Sequence, residues 1–453
     1  MTEVTLNQIL NARDERVKKQ KSILSRFKNP LISFTMNIAG PIKISPLIVR
    51  AFYEGIKLLK ENLTQENIVY EDICIEITGC EAIFSVNANA PKLKDICLCI
   101  EESISIGRLF DMDVIDTGGN KLERVKSRGC IVCGSPGRVC AAGRLHSVEE
   151  LQKATREIIE NYFFLQDKRY YGSLAVKSLL EEVHTTPKPG LVDCRNNGSH
   201  KDMDVHLFIK SANALRPYFE ESFSIGKETS SRSHDEAFTL LRNAGITAEQ
   251  TMYDITCGVN THKGAIYSMG ILCASIGRLW SPETPTSTVS DICLESSKFT
   301  KKAIKKGFEQ IGLTSAGGRL YREYGLTGIR GEVASGFSSV LKFGLPNYES
   351  LRKNGYSQND AGVITLLHYI ANVEDTNIYH RGGIIGANYA KQATKNLLKE
   401  NTELTKKQIE TLDDDFIKQN LSPGGCADLL AITYFLHTIN HNHPSNGWFA
   451  LRL

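Results

Sequence analysis

The spacing of apolar residues changes near Gln166, and this change limits the chain to folds with two different halves. Before it, runs rich in β-branched residues are broken by prolines and glycines, which is typical of strands joined by turns. After it, apolar residues recur at every third or fourth position, which indicates amphipathic helices. A chain of 453 residues also exceeds one ordinary core. We therefore predict two domains, residues 1–165 and 166–453.

The predicted fold class differs between the halves. The first is predicted to be α+β, with a mixed sheet and flanking helices, and its strand candidates are Pro30–Lys43, Ile73–Val86, Ile96–Ile100 and Gly107–Ile115. The second is predicted to be all-α. Its segment His262–Trp280 is apolar nearly all round, which indicates a buried central helix.

Charge and composition restrict the partners and the compartment. The formal charge of +3 is small for this length, so it gives no reason to expect nucleic acid or a membrane surface as partner. The first residues, Met1–Phe27, lack the apolar segment of a secretory signal. We therefore expect a cytoplasmic protein whose 12 cysteines are reduced thiols.

The run G-R-L-F-D-M-D-V-I-D reads as a strand that carries two carboxylates. Asp111 and Asp113 are two residues apart, so on a strand they share one face. Such a pair can hold Mg²⁺ against a polyphosphate, and Arg108 could neutralise phosphate charge. The alternative is a solvated strand face.

A cysteine-rich segment follows, with the spacing C-x2-C-x6-C-x5-H. Cys130, Cys133, Cys140 and His146 could form a structural zinc site, because three thiolates and one imidazole are a common zinc ligand set. In the alternatives, the thiols are small buried hydrophobic groups, or His146 and nearby arginines face a phosphate.

A loop rich in proline and glycine, T-P-K-P-G-L-V-D-C-R-N-N-G-S-H-K-D-M-D, separates two predicted helices in the second half. Its oxygen ligands suit Mg²⁺ and its lysine suits a phosphate. The candidates on it are Lys188, Asp193, His200, Asp202 and Asp204. An ordinary polar loop, with Asp204 capping the next helix, is the alternative.

Three further segments are candidates for anion or metal binding. In G-V-N-T-H-K-G, His262 and Lys263 open the buried helix, and a helix N-terminus attracts anions. In E-D-T-N-I-Y-H-R-G-G, two carboxylates at a helix end suggest a metal or a base, while the arginine and two glycines suggest a phosphate clamp. The residues are Glu374, Asp375, Arg381, Gly382 and Gly383. The third, S-P-G-G-C-A-D-L-L, reads more simply as a capped helix start.

The first half resembles the apo-citrate-lyase phosphoribosyl-dephospho-CoA transferase family through P-L-I-S-F-T-M-N-I-A-G-P-I-K, T-G-C-E-A, G-R-L-F-D-M-D-V and the Cys/His segment. The resemblance implies that a serine of the citrate lyase acyl-carrier (gamma) subunit attacks a phosphate of a triphosphoribosyl precursor, and pyrophosphate leaves. It implies Asp111 and Asp113 as Mg²⁺ ligands. The phosphate contacts it implies are Arg108, Arg138, Arg144 and His146.

The second half is similar to the triphosphoribosyl-dephospho-CoA synthase family, whose motifs occur here in family order. The resemblance implies that the 2′-hydroxyl of 3′-dephospho-CoA attacks the anomeric carbon of ATP, adenine departs, and Mg²⁺ binds the triphosphate. Candidates for the acidic roles are Asp193, Asp202, Asp204, Glu374 and Asp375. Candidates for substrate and phosphate contacts are Lys188, His200, His262, Lys263, Arg381, Gly382 and Gly383.

Two other functions remain possible at this point. One is a metal-dependent hydrolase of ribosyl bonds, which would release adenine without dephospho-CoA. The other is a zinc-stabilised scaffold that binds the carrier without catalysis. The sequence contains no Walker A, G-x-G-x-x-G, H-E-x-x-H or G-x-S-x-G motif, which weakens the common nucleotide-binding, protease and esterase alternatives.

Overall fold

A computed structural model describes residues 2–63, 67–124, 128–283, 287–310, 316–400 and 404–442. The chain is divided into two compact units near Gln166, the first holding Met1–Gln166 and the second most of the rest. We describe each unit by itself.

The first unit combines helices with one sheet of four strands in the order β2-β3-β1-β4. Its helices are α1 (Leu6–Phe27), α2 (Pro46–Asn62), α3 (Ala90–Ser103), α4 (Gly137–Gly143) and the first part of α5 (Val148–His184). Its strands are β1 (Leu31–Met36), β2 (Ile68–Glu76), β3 (Gly79–Val86) and β4 (Phe110–Ile115). All three strand pairings are antiparallel, so the predicted mixed sheet is wrong in that detail.

Local sequence signals explain these elements. Thr5 begins α1 with a capping box. In the centre of the sheet, Ile32 lies opposite Phe84 on one side and Val114 on the other, and these side chains are buried. The predicted strand Ile96–Ile100 is wrong, because it lies inside α3. Pro91 in the first turn and burial at helical spacing favour the helix there.

The second unit is helical. Its elements are the rest of α5, α6 (Val205–Ala214), α7 (Arg216–Glu228), α8 (His234–Ile255), α9 (Lys263–Leu279), α10 (Val289–Gln310), α11 (Ala316–Tyr324), α12 (Gly328–Ala334), α13 (Leu345–Lys353), α14 (Gln358–Asn372), α15 (Thr376–Glu400), α16 (Lys406–Lys418) and α17 (Gly424–Asn442). The residues of α9 are buried on nearly all sides, as the sequence predicts for a central helix.

Two features of the helical part differ from a simple reading of the pattern. The polar stretch at Gln166 lies within α5, which runs from Val148 to His184. Helix α15 has a kink at Gly383, whose backbone is not helical. Among the described helices, none is long and apolar enough to cross a membrane.

Candidate functional site

Two carboxylates lie on the outer face of the edge strand β4. Phe110, Met112 and Val114 are buried on one face, while Asp111 and Asp113 alternate with them on the other. Burial and then the nearby charge of Asp113 raise the pKa of Asp111, although part of that side chain remains exposed. Lys121 forms an ion pair with Asp113, and a cation bound between the two carboxylates would replace that lysine.

Strand β4 is fixed by a buried carboxylate. Glu101 accepts a hydrogen bond from the Met112 backbone N–H at 2.8 Å and forms ion pairs with Arg124 and Arg128. Arg108 donates to the Gly129 carbonyl at 2.5 Å. These contacts tie the cysteine-rich segment to the strand that carries the two aspartates. In this conformation, the Arg108 guanidinium is hydrogen-bonded to a backbone carbonyl.

The cysteine-rich segment brings its four candidate ligands together. The ligand atoms of Cys130, Cys133, Cys140 and His146 all lie within 4.8 Å of one another. The Sγ atoms of Cys133 and Cys140 are 3.4 Å apart, and His146 Nε2 lies 3.2 Å from Cys133 Sγ. Hydrogen bonds from Ser135 and then His146 lower the pKa of Cys133 to about 6, which favours the thiolate that a metal needs.

The remaining cations of this segment point to solvent. Arg138 on α4 and Arg144 after it are exposed, and neither forms an ion pair with a residue that the structure describes. Exposed arginines without an ion-pair partner suit a polyphosphate substrate.

In the second unit, the loop between α5 and α6 is held by carboxylates that accept backbone hydrogen bonds. Asp193 accepts from the N–H groups of Lys188 at 2.8 Å and Arg195 at 2.7 Å. Asp413 of α16 accepts from the N–H of Gly190 at 2.8 Å and the side-chain amide of Asn196 at 2.8 Å. Asp193 therefore shapes the loop, and its lone pairs are largely used.

The centre of this loop carries a buried ion pair. Lys188 Nζ contacts the carboxylate of Glu182 at the end of α5, and both side chains are almost fully buried. Burial raises the pKa of Glu182, and the charge of Lys188 opposes that effect. The candidates predicted from the sequence do not include Glu182. Its position just before the motif T-T-P-K-P-G is the signal that could have indicated it.

A second unpredicted carboxylate, Asp428, lies in the first turns of α17 against the start of α9. A Cβ atom on Gly264 would lie 1.9 Å from Asp428 Oδ2, so a side chain at this position would displace the carboxylate. The pKa of Asp428 is raised well above its ordinary value by burial first and then by the negative charges of Glu182 and Asp375. The side chain is nevertheless partly accessible. Within the described chain, Asp428 accepts no hydrogen bond and has no cationic partner, unlike the other buried carboxylates.

The start of α9 places its two candidates differently. His262 is buried, and its Nδ1 atom lies 2.9 Å from the Ser211 hydroxyl. Burial and then Lys188 lower the pKa of His262 to about 3, so its imidazole is neutral. Lys263 is half-exposed and pairs with Glu249 at 2.8 Å.

Arg381 and His200 form one cluster with the loop before α6. Arg381 donates to the Ser199 carbonyl at 2.8 Å and lies 3.1 Å from His200 Nδ1. Asp202 is exposed and 4.0 Å from the same imidazole. Gly382 and Gly383 follow, and Gly383 has a positive φ of 60° with open space where a side chain would be.

The remaining predicted carboxylates stabilise local structure. Asp204 caps α6 by accepting from the Leu207 N–H at 2.8 Å. Asp375 is buried and accepts from the backbone N–H of Cys426 at 2.8 Å, which links α15 to α17. Glu374 is half-exposed and pairs with Lys391.

Two protein families match this chain, one on each side of Gln166. Residues 168–447 match the family described as ATP:dephospho-CoA triphosphoribosyl transferase, CitG, which covers more than half of the chain. The chain belongs to the CitG family. Residues 4–162 of this CitG protein match a second family, CitX, described as apo-citrate lyase phosphoribosyl-dephospho-CoA transferase.

Relatives with both parts span almost the whole chain. The protein is 35% identical to "Protein CitXG" of Haemophilus influenzae over 97% of both chains. It is 32% identical to "Protein CitXG" of Leuconostoc mesenteroides over 96% of this chain and 97% of that one. A "probable 2-(5''-triphosphoribosyl)-3'-dephosphocoenzyme-A synthase" of Vibrio cholerae is 39% identical over 60% of this chain and 88% of its own length.

Membership in the two families defines the activity. Both are transferase families, so this CitX–CitG fusion is a bifunctional transferase that makes and attaches the prosthetic group of citrate lyase. A ribosyl-bond hydrolase and a non-catalytic scaffold do not agree with these matches.

Proposed function

We propose that residues 166–453 join ATP to 3′-dephospho-CoA, and that residues 1–165 transfer the product to the citrate lyase acyl-carrier gamma subunit. The observation that carries this assignment is that each of the two transferase families matches one side of the division at Gln166. Mg²⁺ is the expected metal for both steps, because each involves a polyphosphate.

In the synthase step, the 2′-hydroxyl oxygen of dephospho-CoA forms a bond to the anomeric carbon of ATP while the bond from that carbon to adenine breaks. The hydroxyl proton needs an acceptor, and the departing adenine needs a proton. Asp428 suits the first role, because a carboxyl group with a raised pKa and free lone pairs is a better base at neutral pH. Its partial accessibility lets a substrate hydroxyl reach it.

Cations of the second unit suit the triphosphate. Lys263 stands in the first turn of α9 and can exchange Glu249 for a phosphate oxygen. Lys188 and the neutral His262 hold the floor of the site, while Arg381 orders the loop before α6. When bound, Mg²⁺ would neutralise the triphosphate, and the exposed carboxylate of Asp202 would be available to help hold it.

In the attachment step, the serine oxygen of the carrier forms a bond to the phosphate next to the ribose, and the bond to pyrophosphate breaks. Asp111 and Asp113 would hold the Mg²⁺ that neutralises the departing pyrophosphate. The exposed Arg138 and Arg144 would contact phosphate oxygens. His146 lies close to the three thiols, which supports its role as a zinc ligand more than a role as a phosphate contact.

A structural zinc ion is part of the proposal. Cys130, Cys133, Cys140 and His146 supply three thiolates and one imidazole, the ligand set of closed zinc sites. The ion would fix the segment that carries Arg138. All twelve cysteines are free thiols, which fits the reducing cytoplasm as the proposed compartment.

Adenine release tests the synthase assignment directly. The full-length protein with ATP and Mg²⁺ is expected to release adenine only when 3′-dephospho-CoA is added, as measured by reversed-phase chromatography. CoA, whose 3′-phosphate lies beside the reacting hydroxyl, is the matched control. Equal adenine release with and without dephospho-CoA would contradict the transferase assignment and favour a hydrolase.

A further inference from the structure

A glutamate and two histidines meet where α13 contacts the last turns of α17. The ligand atoms of Glu349, His437 and His441 all lie within 4.8 Å of one another. We propose that these three residues bind a divalent transition metal ion of the zinc class, at a site separate from both transferase sites. The two-histidine, one-carboxylate set is a known zinc ligand set, with the remaining position open to water.

The geometry of the cluster suits such an ion. His437 and His441 are four residues apart, so they lie on the same face of α17, one turn apart. Glu349 Oε1 is 3.0 Å from His441 Nε2 and 3.5 Å from His437 Nδ1. Ligand atoms at about 2.1 Å from a tetrahedral zinc ion are about 3.4 Å apart, so these separations need little adjustment.

One ligand atom has no other role in the fold. His437 Nδ1 is buried and forms no hydrogen bond with any described residue, since its distance to the carboxylate is too long for a good one. An unsatisfied buried polar atom is costly, and a metal ion would remove that cost. The imidazole is held in place by the ring of Tyr348, whose centroid lies 4.9 Å away in an edge-on arrangement.

The surroundings support the carboxylate and do not block the ion. The Asn440 side-chain amide donates to Glu349 Oε1 at 3.1 Å, which orients that carboxylate. The positive charge of Arg352 acts on His437, and its guanidinium donates to the Tyr356 carbonyl at 2.6 Å. His441 is half-exposed, so the site is open to ions from solution.

The position of the cluster suggests a structural role. Along α17, the rise from Asp428 to His437 is about 14 Å at 1.5 Å per residue, which places the ion away from the reacting atoms. An ion bound there would join α13 to the end of α17. The simpler alternative is an ion pair of Glu349 with a protonated His441, which needs no metal.

Zinc binding separates these alternatives. The full-length protein is dialysed against Zn²⁺, freed of unbound ion, and its zinc content is measured by plasma mass spectrometry. The double variant His437→Gln, His441→Gln is expected to retain one zinc ion fewer than the parent, because the cysteine cluster is untouched. His206→Gln, which removes an exposed histidine, is the matched control and is expected to retain the parental content.

Thermal unfolding provides a second readout. Zn²⁺ is expected to raise the Tm of the parent more than that of Glu349→Gln, a variant that keeps the shape of the side chain and loses its charge. Loss of a ligand should weaken binding at least ~10-fold. Equal zinc content in parent and double variant, or an equal Tm shift in parent and Glu349→Gln, would overturn the proposal in favour of the ion pair.

Discussion

Replacing Asp428 with asparagine removes one negative charge and keeps the size of the side chain. Because Asp428 accepts no hydrogen bond and pairs with no cation among the described residues, the change removes no stabilising contact. The pKa of its carboxyl group is raised in the folded protein. The group therefore contributes its full stabilisation at a pH below the ordinary aspartate pKa, and this stabilisation is lost as the pH rises through the raised pKa. Each unit of that rise corresponds to about 1.4 kcal/mol. At neutral pH, Asp428→Asn should therefore be at least as stable as the parent.

The same change should greatly slow the synthase step. A positioned base contributes about 10²- to 10⁴-fold to a rate, and an amide cannot accept the hydroxyl proton. We expect adenine release to fall by at least ~10²-fold, measured by chromatography at saturating ATP and dephospho-CoA. Asp254→Asn, on the exposed face of α8, is the matched control and should keep the parental rate.

Two results would refute this reasoning. A parental rate for Asp428→Asn would mean that Asp428 is not the base. A loss of rate accompanied by a Tm several degrees lower would mean that its carboxylate stabilises the fold, against the contacts described above.

Three other predictions test the remaining parts of the two sites. Changing Asp111 and Asp113 together to asparagine should reduce the rate of carrier modification at least ~10²-fold and leave adenine release unchanged. Carrier modification at the parental rate would mean that the two carboxylates are only a solvated strand face. Lys263→Ala should raise the KM for ATP about 10- to 100-fold at an unchanged Tm, while Arg381→Ala should do so with a lower Tm, because its guanidinium holds the loop before α6. An unchanged KM in either variant would remove that residue from ATP binding. The pKa of His262 is lowered to about 3, so its contribution to stability is complete above the ordinary histidine pKa and is lost as the pH falls from about 6.5 towards 3. Urea unfolding should show the stability gap between parent and His262→Asn narrowing over that range, and a constant gap would contradict a buried neutral imidazole.

The sequence predicts the buried helix at His262–Trp280 because its signal is local, and the structure has α9 at Lys263–Leu279. Helix α1 begins at Leu6 because Thr5 caps it there, and it ends at Phe27. The segment Ile96–Ile100 was mistaken for a strand because its residues favour strands by type. Tertiary packing of α3 against β4 outweighs that preference, and no local signal shows it.

The candidate sites could be located from the sequence, but the role of each side chain could not. Asp193 and Arg381 stand in the motifs, yet the fold uses their hydrogen-bonding groups to hold the loop between α5 and α6. Glu182 and Asp428 look like ordinary helix-end residues, and only the approach of α17 to α9 and the α5 terminus makes them part of a buried charged group. Glu182 and Gly264 lie more than 150 positions away from Asp428, and spacing along the chain cannot reveal such contacts.

Intact mass spectrometry of the citrate lyase carrier tests the central claim most directly. The full-length protein is incubated with ATP, 3′-dephospho-CoA, Mg²⁺ and apo-carrier, and the carrier is weighed. We expect a gain in mass equal to one phosphoribosyl-dephospho-CoA group. The gain should require both ATP and dephospho-CoA, and it should be absent with a carrier whose acceptor serine is changed to alanine. A malonate decarboxylase carrier in a parallel reaction tests the choice of acceptor. An unchanged carrier mass in the complete mixture, with adenine released, would contradict attachment by this chain.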